Sequence, residues 1–285
     1  MDPVDPPPPV IAERSFPDPP EEAGSPAADR RDDRALRRAP ERREVALVLG
    51  LVLLLYIVPG GLLQMKSLRW GILVTQILFI AAPVVLAIRW FYLDRRAILP
   101  VVRPSGRALA GAMLGALGLN HVLNCLVLWQ DRILPMPDLW RRQFEDLESF
   151  HGPADFLLLL LLVGVIPGIC EEVMFRGFVH AGLRHSFESG TKAVVVGSLV
   201  FAGFHLDPWR FDVLLVIGLY LGFLVQRTGS LVPSMVAHAL NNMLSVALSG
   251  LGDETQTLVV QTAGSHVFAG LCLLGAALLL RRAPA

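Results

Sequence analysis

The sequence predicts an all-α, polytopic membrane protein of about eight transmembrane helices behind a disordered N-terminal tail. Composition is the first reason: 53% of the 285 residues are hydrophobic and the mean hydropathy is +0.54, well above the range of soluble domains. Continuity is the second, because the apolar residues fall into eight stretches that span or nearly span ~30 Å of hydrocarbon. The stretches also run unbroken instead of alternating, which suits helices and not a barrel.

Residues 1–44 contain eight Arg and many Pro, Asp and Glu, with almost no apolar run. Such a segment buries too little apolar surface to offset ordering entropy. Its start lacks the pattern of a cleaved signal peptide. The membrane domain, 45–285, holds the eight stretches at about 45–65, 70–92, 107–129, 155–183, 191–206, 210–227, 231–250 and 262–280. The fifth is the shortest and ends in the polar residues His205 and Asp207. Between the third and fourth, Trp140, Phe144, Leu147 and Phe150 recur among charges at helical intervals, as in an amphipathic helix lying at the interface.

Lys and Arg set the orientation. With the tail inside, seventeen basic residues lie on the cytoplasmic side and six outside, while Arg89 and Arg176 fall within helices. Both termini are therefore expected in the cytoplasm, most naturally of a bacterial inner membrane. Cys125, Cys170 and Cys272 sit in apolar segments at unrelated spacings and read as small buried hydrophobes, neither a disulfide framework nor a metal set.

Three polar groupings interrupt the apolar segments: Glu171-Glu172-x-x-x-Arg176, Phe201-x-x-x-His205 and His238-x-x-x-Asn242. Ionisable groups at bilayer depth persist mainly where they face protein or a wet cavity. Glu171 and His205 each lie 17 residues from position 188, the centre of the turn between helices four and five. Equal helical rise on both flanks puts them at one level. Glu172 and Arg176 are i,i+4 with the acid first, the favourable order for an ion pair. Glu171 is rotated ~100° away and stays available as a general base. His205 supplies a proton relay. His238 and Asn242 share a face and can donate to one oxygen, the content of an oxyanion hole.

A serine nucleophile is the weaker reading: Ser198 and Ser234 precede His205 and His238 by seven and four residues, without a G-x-S-x-G elbow. The H-E-x-x-H zinc signature is absent. No metal is obligatory in this reading; if a divalent ion such as Zn²⁺ is used, Glu171, His205 and His238 are its candidate ligands. His121, with Asn120 and Asn124, reads as an interhelical hydrogen-bonding group. His180, His185 and His266 read as interfacial. Pro167-Gly168 should loosen helix four just before the acids.

Glu171-Glu172-Val173-Met174-Phe175-Arg176, Phe201-Ala202-Gly203-Phe204-His205 and His238-Ala239-Leu240-Asn241-Asn242 together resemble the motifs of the CPBP family of intramembrane proteases. That family comprises the type II CAAX prenyl endopeptidases and bacteriocin-processing or immunity proteins. The resemblance covers about 155–250, a third of the chain. It implies an eight-helix fold with a cavity open to the cytoplasm and to lipid. It also implies that Glu171 activates water with His205 while His238 and Asn242 hold the oxyanion, supported by Glu172 and Arg176. The implied partners are the bilayer and a membrane-embedded or lipidated peptide or protein substrate; no nucleic acid partner is expected. The alternative is a non-catalytic membrane protein of the same fold that binds lipidated or bacteriocin-like peptides. A proton-coupled transporter is more distant, since no internal repeat is visible.

Overall fold

The computed structural model describes residues 38–281, and the expectation of disorder over 1–37 lies outside them. The described part is helical, and seven of its helices are long and apolar enough to cross a membrane. They are α1 (Arg42–Lys66), α2 (Leu68–Trp90), α3 (Gly106–Gln130), α5 (Pro153–Phe187), α7 (Phe211–Thr228), α8 (Leu231–Ser249) and α10 (Ala263–Arg281). Between them lie the exposed amphipathic α4 (Asp138–Glu148), the short apolar α6 (Gly190–Phe204) and α9 (Asp253–Gln261). The stretch that became α9 carries too few apolar residues for the hydropathy pattern to reveal it.

Helix α1 starts three residues earlier than its apolar run. The Glu44 carboxylate accepts from the Glu41 backbone N–H at 2.9 Å, closing the first turn. Arg38 then donates to Glu44 at 2.8 Å, and this hydrogen bond raises the Arg38 guanidinium pKa above its ordinary value. Residues 38–44, counted with the tail in the sequence, thus belong to the helical unit. Ser105, Ser189 and Ser230 cap α3, α6 and α8 by accepting from backbone N–H groups of the first turn. Gly229, at φ +64°, ends α7 in the left-handed conformation that a side chain disfavours.

Phe175, Phe178, Met174, Phe201, Leu221 and Leu224 centre a core where α5, α6 and α7 meet. Leu47, Leu54, Leu86, Phe268 and Leu271 face outward, as expected of side chains bathed in lipid.

Two features position the polar residues. First, α6 has 15 residues, about 22 Å of helix. That is less than the ~30 Å of hydrocarbon, so His205 at its end is held inside the bundle. The weakest of the eight apolar stretches is weak because the helix stops at Phe204, with His205 closing its last turn. Second, α5 is α-helical over Ile166–Glu172 and π-helical on both sides, over Leu160–Val165 and Val173–Val179. Wider turns of this kind recur at functional sites, and here they bracket both acids. Pro167 opens the intervening α-helical stretch. Gly168 lies so close to α8 that a Cβ would come within 2.8 Å of the Ala239 backbone nitrogen. Gly168→Ala is therefore expected to force α5 and α8 apart and to destabilise the fold by about 1–3 kcal/mol. A lowered thermal-denaturation midpoint in detergent checks this; an unchanged midpoint refutes the close-packing role.

Candidate active site

Glu172 is fully buried and has three partners. Arg176 donates to it at 2.8 Å, Ser234 donates through its hydroxyl, and His238 Nδ1 lies at 3.0 Å from Oε1. Arg176 also donates to the Gly218 carbonyl at 3.1 Å and stacks over the Phe201 ring at 4.2 Å. The i,i+4 pair anticipated from spacing thus forms the hub of α5, α6, α7 and α8. A charge buried this deeply is tolerated only when it is paired and hydrogen-bonded.

Glu171 points elsewhere. Its Oε2 lies 3.8 Å from His205 Nε2 and 3.8 Å from His238 Nε2, while Oε1 accepts from Gln76 Nε2 at 2.7 Å. The 3.8 Å separations are too long for direct hydrogen bonds and short enough for a bridging water. His205 Nδ1 contacts the Phe201 carbonyl at 2.8 Å, so in the neutral ring Nδ1 carries the proton and Nε2 offers a lone pair toward Glu171. Phe201 also packs edge-on against His205 and His238, fixing both imidazoles. Asn242 donates to the Val163 carbonyl at 3.3 Å, and its amide retains a second N–H.

The structure therefore gathers Glu171, Glu172, Arg176, His205 and His238 in one cluster, with Asn242 one helical turn beyond His238 on α8. Several readings change. Neither serine stands as a nucleophile on an imidazole, since Ser198 donates to the Val194 carbonyl and Ser234 to Glu172. His180 is buried within the protein, on the part of α5 that continues to Phe187. The interhelical reading holds for Asn120, which donates to Asn241 and Ser245 on α8, and for His121, which meets His266 on α10, while Asn124 donates to Asn120 on its own helix.

The motifs missed Gln76, the group in hydrogen-bond contact with Glu171. It is buried on α2, within the π-helical segment Thr75–Ala81, and its Oε1 has no partner. A lone amide in an apolar run was the available signal. Gln76→Leu removes a hydrogen bond to a charged group, worth about 1.5–3 kcal/mol. If Glu171 is the catalytic base, kcat should fall ~10- to 100-fold with KM unchanged. A wild-type kcat would show that Gln76 only fills space.

For a metal, the donor types suit Zn²⁺, with one carboxylate and two imidazoles whose other nitrogens are engaged. The spacing does not. Each imidazole stands 3.8 Å from Glu171, and the separation that is too wide is the one between the two imidazoles. The three residues do not form a group whose ligand atoms all lie within 4.8 Å of one another.

A cavity of about 780 Å³ lies toward α4 instead of at this cluster. It is lined in part by Asn124, Glu148, Trp209, Arg210 and Ser245. Burial raises the Glu148 carboxyl above its ordinary range there, opposed by Arg210 and Ser249.

Residues 153–244 match the family model described as type II CAAX prenyl endopeptidase Rce1-like. The resemblance read from the three motifs is borne out over that segment, which spans α5 to α8. No curated protein and no solved structure matches the chain.

Proposed function

We propose that this integral membrane protein, whose residues 153–244 match a protease family, is an intramembrane endopeptidase that hydrolyses a peptide bond near the cytoplasmic interface. The observation that carries the reading is Glu171 Oε2, 3.8 Å from two imidazoles, beside a second acid consumed by Arg176, Ser234 and His238. Two adjacent carboxylates in different environments divide into a working group and a structural one.

In the reaction, a water donates one hydrogen to Glu171 Oε2 and the other toward His205 Nε2, which leaves an oxygen lone pair for the scissile carbonyl. Glu171 takes the proton as the C–O bond forms. The resulting oxyanion is met by the second N–H of Asn242 and by His238 Nε2 when that nitrogen carries a proton. Glu172 fixes the His238 ring through Nδ1. Collapse breaks the C–N bond, and Glu171 returns its proton to the departing amine. The basic-residue bias supports both termini and the substrate's approach on the cytoplasmic side. A membrane-embedded or lipidated peptide is the substrate class that fits a site on helices facing lipid.

The test compares cleaved membrane peptides by quantitative proteomics between wild type and a His205→Ala strain expressing equal folded protein. Peptides present only with wild type are expected. Identical peptide sets, with the cellular phenotype retained by the variant, would replace the protease with a peptide-binding protein of the same fold.

A further inference from the structure

A second cluster lies outside this site, at the junction of α3 and α10. His121 Nε2 and His266 Nδ1 are 2.8 Å apart, Cys125 Sγ is 3.6 Å from His121 Nε2, and the three ligand atoms all lie within 4.8 Å of one another. We propose that His121, Cys125 and His266 bind a single thiophilic transition-metal ion, Zn²⁺ in the simplest case, which staples α10 to α3.

The backbone presents these residues together. Antiparallel α3 and α10 approach closely where glycine allows it: a Cβ on Gly111 would meet Leu280, and one on Gly118 would come within 2.8 Å of the Ala269 carbonyl. His121 lies three residues beyond Gly118, and His266 three residues before Ala269. The register that packs the helices therefore faces one imidazole with the other. Cys125 follows His121 at i+4 and shares its face. Neither partner depends on a loop for its position.

The donor types select the ion. Two imidazoles and a thiolate suit Zn²⁺, Co²⁺ or Cu⁺, and leave Mg²⁺ and Ca²⁺ without the oxygen ligands they require. Tetrahedral Zn²⁺, with bonds of about 2.0–2.1 Å to nitrogen and 2.3 Å to sulfur, separates N from S by about 3.5 Å and N from N by about 3.3 Å. The Cys125–His121 distance already matches. The two rings, now hydrogen-bonded, part by about half an ångström to admit the ion. Binding releases one proton, from the Cys125 thiol, because the donating imidazole keeps its own by moving it to its other nitrogen. His266 is exposed in the first turn of α10, which gives the ion an entry path and leaves the fourth position to water. The cysteine expected to be a buried hydrophobe is half-exposed and sits beside this pair.

The experiment uses the full chain, purified in detergent and stripped with chelator, in a Glu171→Gln/His205→Ala background that removes two of the three other candidate ligands. Titration with Co²⁺ alone should give one equivalent of tetrahedral cobalt with a thiolate-to-cobalt charge-transfer band, and Zn²⁺ should displace it. Cys125→Ser should abolish the band while Cys272→Ser keeps it, and the exposed His266→Gln should weaken binding about tenfold or more. Zn²⁺ should raise the thermal midpoint of the parent and leave that of folded Cys125→Ser unchanged. No charge-transfer band at saturating Co²⁺, or a band undiminished in Cys125→Ser, overturns the proposal. Either failure leaves the protease reading untouched, because the two clusters share no residue.

Discussion

Glu171→Gln is expected to reduce peptide cleavage by about 10²- to 10⁴-fold, the range over which a positioned general base contributes, while the folded yield stays that of wild type. The substitution keeps the volume of the side chain and an oxygen able to accept from Gln76, whose Nε2 lies 2.7 Å from Glu171 Oε1 in the native protein. What it removes is the basic oxygen facing His205 and His238. Purified wild type and variant, reconstituted in vesicles with a substrate identified by the proteomic comparison, give the rates. A variant that cleaves at the wild-type rate sinks the assignment of Glu171 as base, whatever the family resemblance. A loss of cleavage accompanied by unfolding would also defeat it, since the Glu171 carboxylate would then be needed for packing. Treating wild type with a chelator in the same assay examines the metal question directly; the geometry of the cluster leads us to expect no change in rate.

The contrast between the two adjacent acids shows how far sequence spacing reaches in a helical membrane protein. Helix periodicity was enough to pair Glu172 with Arg176 and to free Glu171, because both statements concern one helix. Counting from the turn before α6 was enough to level Glu171 with His205, because the two helices are adjacent in the chain. Gln76 was out of reach: it comes from α2, 95 residues away, and neither periodicity nor a motif links the two. The same holds for Ser234, whose partner proved to be an acid on α5 and not the nearby imidazole. The π-helical turns were hidden for another reason. They leave little local trace in composition, since the residues of Leu160–Val165 and Val173–Val179 read as ordinary apolar helix. His266 was similarly undervalued, since a histidine near a helix end carries no sign of the antiparallel register that sets it against His121.

Arg176→Met is expected to destabilise the protein by about 3–5 kcal/mol, because it strands the fully buried Glu172 carboxylate without its balancing charge. Ser234 and His238 still contact that carboxylate, but the charge that balances it is gone. The same change removes the donor to the Gly218 carbonyl and the cation above Phe201, so α5 loses its tie to α7 as well. Thermal denaturation followed by size-exclusion chromatography measures the loss, and a midpoint equal to wild type would show that the pair contributes little. The double variant Glu172→Leu/Arg176→Met separates stability from function. Replacing a whole buried ion pair by apolar side chains is often neutral or stabilising, so the midpoint should return toward wild type. Cleavage should not return, because His238 Nδ1, 3.0 Å from Glu172 Oε1 in the native protein, has lost the acceptor that orients its ring. A double variant both stable and active would mean that Glu172 serves only to neutralise Arg176. A stable and inactive one assigns the second acid its role as the group that holds the oxyanion-facing imidazole in place.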